Sequence, residues 1–148
     1  MLILAGRGPD SREGNPGTPA GEYSSAMNLI QIAQHAEDLD RAAVFYTDLL
    51  GTGPTGRFDP PGLLFFDLCG SRLLLEQGAD SAVLYLGAAD IDATIERLRA
   101  AGVAIESEPN VIFRHEDATL GPAGTDEWQA FIRDSEGNLV GLVEQRRV

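Results

Sequence analysis

The chain has 148 residues, 43% apolar content and a formal net charge of −12, so it is long enough for one domain and too short for two ordinary ones. All eleven basic residues are arginines, which excludes lysine Schiff-base chemistry. The acidic balance, without an arginine cluster interleaved with aromatic residues, argues against nucleic-acid binding. That charge is compatible with a cationic ligand, although solubility of a small protein explains it more simply.

Membrane insertion and secretion are not indicated. No apolar run approaches the roughly 20 residues that a transmembrane helix needs, and the opening segment 1–5 is too short for a signal-peptide core. We therefore expect a soluble cytoplasmic protein. Cys69 is the only cysteine, which excludes an internal disulfide and a multi-cysteine zinc site. It adjoins Gly70 at a predicted hairpin turn, where we interpret it as a small corner residue.

Residues 1–26 contain five glycines and three prolines and show no period of a helix or strand after the first five positions. This composition predicts an N-terminal extension ahead of a domain at 27–148. Met27 stands immediately before the first predicted strand, so the natural product could begin there.

The first half of the domain predicts one strand, one helix and three strands. Apolar and polar residues alternate in NLIQIAQHA, which places Gln31, Ala33 and His35 on one strand face. Asp38 is a good N-cap for an amphipathic helix that ends at Gly51. A Gly/Pro-rich stretch with a short strand follows, and LLFFDL and SRLLLE then form a hairpin around Cys69-Gly70.

The second half repeats this order. A strand at 83–88 precedes a helix that is capped by Asp90 and ended by Gly102, and another strand begins at 103. After the long connection HEDATLGPAGTDE, the segments WQAFIR and LVGLVE form a hairpin around DSEGN. Asp90 lies 52 residues after Asp38, and the segments around both aspartates align. The sequence therefore predicts an α+β domain of two βαβββ modules, at about 28–78 and 81–146.

Several short motifs carry a family resemblance. They are Asp-Leu-Asp-Arg-Ala at 38–42, Phe45-Tyr46, Leu50-Gly51, and Asp-Ser-Glu-Gly-Asn at 134–138. With them the chain resembles, over residues 28–145, the vicinal oxygen chelate superfamily of glyoxalases, bleomycin resistance proteins and dioxygenases. The resemblance implies paired βαβββ modules that form a U-shaped mixed-sheet cleft, and it implies a homodimer, because dimers are common in that family.

The resemblance also implies four positions for the ligands of a divalent metal. Gln31 and Glu76 fit the two positions of the first half, whereas Val83 and Gly141 stand where the family has histidine and glutamate. Two ligands would hold a divalent ion weakly, so we expect no metal cofactor. The alternative is zinc, nickel, manganese or iron held by Gln31, Glu76 and His35. We interpret the second histidine, His115, as part of a solvated loop.

The cleft is predicted to bind a small organic molecule. We expect its ligand-binding side chains to be Gln31, His35, Arg72, Glu76, Tyr85 and Trp128. Val83 and Gly141 in place of charged ligands leave open space, which suits a flat or hydrophobic ligand. Trp128 is either a wall of this cleft or a filler of the core or of an interface.

Glu76 is the candidate catalytic residue. Among apolar neighbours its carboxylate would be a general base, whereas pairing with Arg72 would keep it ionised and structural. The leading functional hypothesis is a metal-independent binding or sequestering protein of the bleomycin-resistance type. The main alternative is a lyase, isomerase, epimerase or dioxygenase, in which Glu76 would move any proton. The third hypothesis is a regulatory subunit that has no catalytic activity.

Overall fold

The βαβββ repeat is present in the structure, a computed structural model that describes residues 29–148. Its strands and helices, in chain order, are β1 (Gln31–His35), α1 (Leu39–Leu50), β2 (Gly56–Phe58), β3 (Leu63–Leu68), β4 (Ser71–Glu76), β5 (Leu84–Gly87), α2 (Ile91–Ala100), β6 (Ile105–His115), β7 (Thr125–Arg133) and β8 (Leu139–Arg147). They form two four-stranded mixed sheets, ordered β1-β4-β3-β2 and β5-β8-β7-β6. The predicted fold class is confirmed. The predicted extension at 1–26 and Met27 lie outside the described residues.

Both helices begin with the same local interaction. The Asp38 carboxylate accepts the N–H of Arg41 at 3.0 Å, and the Asp90 carboxylate accepts the N–H of Ala93 at 2.9 Å. These bonds satisfy backbone donors that have no partner inside the helix, so the two aspartates fix where the helices start. Gly51 ends α1 with a left-handed φ of 72°. None of the helices described within residues 29–148 is long and apolar enough to cross a membrane.

Each module places its first strand parallel to its last. Gln31 faces Arg72 across β1 and β4, and Tyr85 faces Gly141 across β5 and β8. The last strand of each module follows a hairpin turn that contains a glycine of positive φ, Gly70 at 106° and Gly137 at 84°. Positions in β4 and β8 can therefore be compared by counting residues from these two glycines.

The apolar core lies between the sheets and the helices. Its buried side chains include Tyr46, Phe66, Leu73, Ile91, Ile95 and Ile132. Gln34 is also fully buried, on the same side of β1 as Ile32, and its amide has no hydrogen-bond partner within residues 29–148. Burying an unpaired amide costs about 1–3 kcal/mol. The surrounding packing must offset that cost.

The β7–β8 turn of the second module docks on the first module. The Tyr46 hydroxyl, buried in α1, donates to Asp134 Oδ2 at 2.7 Å. The Asn138 side chain donates to the backbone carbonyl of His35 at 2.8 Å and to the same Asp134 oxygen at 2.8 Å. Because these groups are buried or half-buried, the turn is fixed against both α1 and the end of β1.

Glu136, in the same turn, makes an ion pair with α1. Its carboxylate is fully buried and accepts Arg41 Nε at 2.7 Å, Arg41 Nη2 at 3.0 Å and the N–H of Asp38 at 2.8 Å. Burial alone would raise the pKa of Glu136, but the hydrogen bonds from Arg41 and Asp38 outweigh it and lower the pKa to about 2. The ionised form is therefore the one that the fold stabilises.

This pair predicts a specific acid sensitivity. An unfolded glutamate has a pKa of about 4.3, so the contribution of Glu136 is fully present above that pH and is lost as the pH falls toward its folded pKa of about 2. In urea titrations, the free energy of unfolding should fall between about pH 5 and pH 2 more steeply for the wild type than for Glu136→Gln. Equal slopes in the two proteins would contradict the ion pair.

Candidate functional site

The faces of the two sheets turned away from the helices carry most of the predicted site residues. Side chains alternate along each strand, so this face, called the cleft face below, is opposite the buried core positions. It carries Gln31, His35, Phe65, Arg72, Leu74, Glu76, Tyr85, Phe131 and Gly141.

Arg72 and Gln31 form the polar centre of the cleft face in the first module. Arg72 Nε donates to Gln31 Oε1 at 2.8 Å, and the guanidinium lies 5.8 Å from the centroid of the Phe65 ring. Of the two interpretations of Glu76, the ion pair with Arg72 is not found among the described residues. Glu76 instead faces His35 across β1 and β4. It lies four residues after Arg72 on the same strand, which is a separation of about 13 Å.

The described residues do not bring the side chains of the alternative metal site, Gln31, Glu76 and His35, to one point. Gln31 and His35 lie about 13 Å apart along one strand, so both cannot bind one ion. The His35 ring has its own partners, with Nδ1 2.9 Å from the Gln77 carbonyl and Nε2 3.6 Å from the Glu37 carboxylate. Within residues 29–148, no group of three or more histidine, cysteine, aspartate or glutamate side chains is placed to hold a metal.

The repeat also corrects the placement of Glu76. Gly141 lies four residues after the turn glycine Gly137, and the residue four positions after Gly70 is Leu74. Leu74 is therefore the equivalent of Gly141, and Glu76 is two residues beyond it. Of the four expected ligand positions, only Gln31 then offers a donor atom. A divalent ion does not fit these residues.

Gly141 does not leave open space, so that prediction is wrong. A Cβ atom at this position would lie 2.7 Å from Tyr85 Cδ1 and 3.1 Å from Phe131 Cε1. The Tyr85 ring therefore lies over Gly141, and it packs edge-to-face on Phe131 with a centroid distance of 5.8 Å. Tyr85 is still 57% exposed, so its ring presents a free surface to a ligand.

Trp128 does not line the cleft face. It pairs with Glu144 and lies on the core side of β7, two residues before the buried Ala130. The Arg146 guanidinium stands 4.4 Å from the Trp128 ring centroid and bonds Asp92 of α2 at 2.6 Å. Of the two interpretations of Trp128, the position fits the one in which its side chain fills the core.

His115 is buried, so the prediction of a solvated loop is wrong. It ends β6, and its Nε2 lies 2.8 Å from Glu127 Oε2. The following loop closes over the ring, because a Cβ atom on Gly121 would lie 2.7 Å from His115 Cε1. Burial alone would raise the pKa of Glu127, but hydrogen bonds from His115, Gln129 and Gln145 lower it. The histidine is buried because this loop folds over it, and the loop has no periodic sequence pattern that would predict this.

A pocket of about 670 Å³ lies between the two modules. Ile32 and Leu50 of the first module and Tyr85 and Leu86 of the second contribute apolar surface, and Asp67 adds a carboxylate. Pockets of about 300–1,000 Å³ with mostly apolar walls are typical of small-molecule sites. Sequence reasoning anticipated Tyr85 but missed the contributions of α1 and Asp67, because these depend on how the modules meet.

A family comparison agrees with this geometry. The model of the Glyoxalase/Bleomycin resistance protein/Dioxygenase superfamily matches residues 28–142. The chain belongs to this superfamily. The predicted resemblance is thereby confirmed. None of the curated proteins compared with the chain matches it.

Solved structures with the same fold include enzymes and binding proteins. Lactoylglutathione lyase from Agrobacterium tumefaciens is 27% identical, with a TM-score of 0.58, and the match covers 82% of this chain and 94% of that one. TnmS3, an antibiotic binding protein from Streptomyces sp. CB03234, is 20% identical with a TM-score of 0.62, and the match covers 84% and 100%. An integron cassette protein from V. cholerae is 16% identical with a TM-score of 0.62, covering 82% and 97%.

The seating of Tyr85 over Gly141 predicts a difference between two glycines of the cleft face. Gly141→Ala should cost about 1–3 kcal/mol in the free energy of unfolding, because the new methyl group displaces the Tyr85 ring. Gly87→Ala is the matched control, since its Cβ atom would meet nothing within 4 Å. Equal stabilities in urea titrations would show that the ring does not lie over Gly141.

Proposed function

We propose that this protein binds a flat organic molecule in the pocket between its modules, without a metal, and acts as a binding or sequestering protein. The observation that carries the proposal is the Tyr85 ring, which covers the position of a lost metal ligand and remains 57% exposed. An aromatic platform favours planar ligands through stacking and burial of apolar surface. TnmS3, which has this fold and is described as an antibiotic binding protein, supports a binding role.

The metal-independent part of the proposal follows from the donor set. Leu74, Val83 and Gly141 provide no metal-binding side chain, and the Gln31 amide oxygen already accepts a hydrogen bond from Arg72. Binding must then come from shape, apolar contact and a few polar groups. The homodimer and the cytoplasmic location expected from the sequence stay predictions.

Replacing Tyr85 tests the binding proposal. In calorimetric titrations with a panel of planar aromatic compounds, Tyr85→Ala should weaken binding by about tenfold or more, because it removes the stacking surface. Tyr85→Phe keeps the ring and should retain the affinity. Val44→Ala, at a residue 74% exposed on α1, is the control for unspecific loss of surface. A panel that binds the wild type and Tyr85→Ala equally would contradict the proposal.

The 27% identity to a lactoylglutathione lyase supports one alternative, a proton-abstracting enzyme. Glu76 is the candidate base, since it is half-buried and lines a second, more polar pocket of about 350 Å³ together with Glu37 and Gln77. In that role its carboxylate would remove a proton from carbon next to a carbonyl group.

The two functions predict different results with the hemithioacetal of methylglyoxal and glutathione. A metal-independent binding protein should not isomerise it, either alone or with added nickel or zinc, as followed by thioester absorbance. Turnover that Glu76→Gln abolishes and Glu37→Gln preserves would favour the enzyme instead. Turnover only with a stoichiometric metal would contradict the proposed absence of a cofactor.

A further inference from the structure

Within residues 29–148, the arginines of this acidic protein are almost all paired with carboxylates. Nine of them lie within residues 29–148, and seven have a carboxylate oxygen within 4.0 Å. Within this part of the chain, only Arg72 and Arg147 lack such a partner. Arg147 is the penultimate residue of the chain and is exposed, whereas Arg72 lies within a strand on the cleft face.

Arg72 is oriented although it has no carboxylate partner. Its Nε is fixed by the Gln31 amide oxygen at 2.8 Å, and its guanidinium stands over the Phe65 ring. Neither terminal nitrogen has a hydrogen-bond partner among residues 29–148. A planar guanidinium held in this way offers two parallel N–H donors, which match the two oxygens of a carboxylate.

Asp67 is a competing charge on the neighbouring strand. It faces Arg72 across β3 and β4, yet its carboxylate does not come within 4.0 Å of the guanidinium. Asp67 also lines the pocket that contains Tyr85. Arg72 itself is at the rim of that pocket, because its strand partner Asp67 and its chain neighbour Ser71 both line it. The arginine of the pocket wall, Arg97, is already paired with Asp48 at 2.8 Å. A ligand anion at Arg72 must tolerate the Asp67 carboxylate.

We propose that Arg72 binds the carboxylate of an aromatic acid whose ring lies against Tyr85. This inference rests on the proposed function and narrows its ligand from a flat molecule to an aromatic carboxylate. The net charge of −12 does not oppose it strongly, because exposed charges beyond about 8 Å are largely screened at physiological salt. A fixed guanidinium within hydrogen-bonding distance outweighs them.

Three naphthalene derivatives of equal ring size separate charge from shape: 2-naphthoate, the neutral 2-naphthamide and the cationic 2-naphthylmethylammonium. By calorimetry in about 0.15 M salt, the wild type should bind 2-naphthoate at least about tenfold more tightly than 2-naphthamide, since charged hydrogen bonds favour the anion. Arg72→Met should abolish this preference. Arg147→Met, which removes the other unpaired arginine, is the matched control and should preserve it.

Two further variants test the role of the neighbours. Asp67→Asn should tighten the binding of 2-naphthoate and leave 2-naphthamide unchanged, because it removes a repulsive charge. Gln31→Leu should reduce the preference for the anion without affecting the amide, because Gln31 positions the guanidinium. Arg72→Lys should keep only part of the preference, since an ammonium lacks the two-pronged geometry.

The outcomes distinguish this inference from the function on which it rests. If all three probes bind equally and Tyr85→Ala weakens all of them, the Arg72 assignment is wrong and the proposed flat-ligand function stands. Tightest binding of the ammonium probe, or an equal effect of Arg147→Met, also overturns the assignment. If none of the three probes binds, both proposals are wrong.

Discussion

The pocket depends on the attachment of the β7–β8 turn to α1. The pocket lies between the modules, so its shape is fixed only if the modules hold one relative position. Asp134 and Glu136 make that attachment through Tyr46 and Arg41, and three of these four side chains are buried or partly so. Truncating one partner of such a contact would leave a buried carboxylate unpaired, which makes the arrangement nearly all-or-none. A rigid junction therefore allows a small protein to keep a cleft open.

The cleft face differs at two places from the ligand positions that the family resemblance implies. In the second module a glycine stands at a ligand position, and an aromatic ring fills the space above it. In the first module a guanidinium lies beside Gln31, so positive charge is present there without an ion. A bound metal attracts oxygen ligands, whereas an aromatic face favours planar molecules and a free guanidinium favours a carboxylate.

The fold was largely predictable from the sequence, because its signals are local. Asp38 and Asp90 each cap a helix through their own backbone neighbours, and strand alternation marks the buried face. The site was less predictable, because it depends on register and on loop docking. The two-residue error at Glu76 came from counting to the end of a strand instead of from the turn. Comparison of Gly70 with Gly137, both available in the sequence, would have corrected it.

His115 and Trp128 show the other limit of sequence reasoning. The segment after His115 is polar and aperiodic, so nothing local indicates that Gly121 packs against the imidazole. Trp128 is the fourth residue of β7, and charged residues occur on both faces of that strand. Its face therefore follows only from the pairing with β8. In both cases a contact between residues distant in sequence decided the environment.

Net charge alone does not determine which ligand the pocket prefers. A total of −12 favours a cation if the charge is treated as uniform, yet seven of the nine arginines in residues 29–148 neutralise nearby carboxylates. What a bound molecule meets is the charge within a few ångströms of the pocket, because longer-range fields are screened by water and salt. There the charged groups are Asp67 and the ion-paired Arg97 in the pocket wall, with Arg72 beside Asp67 on the next strand. The distance of each charged group from the ligand determines whether the pocket prefers an anion. The net charge summed over the protein surface matters less.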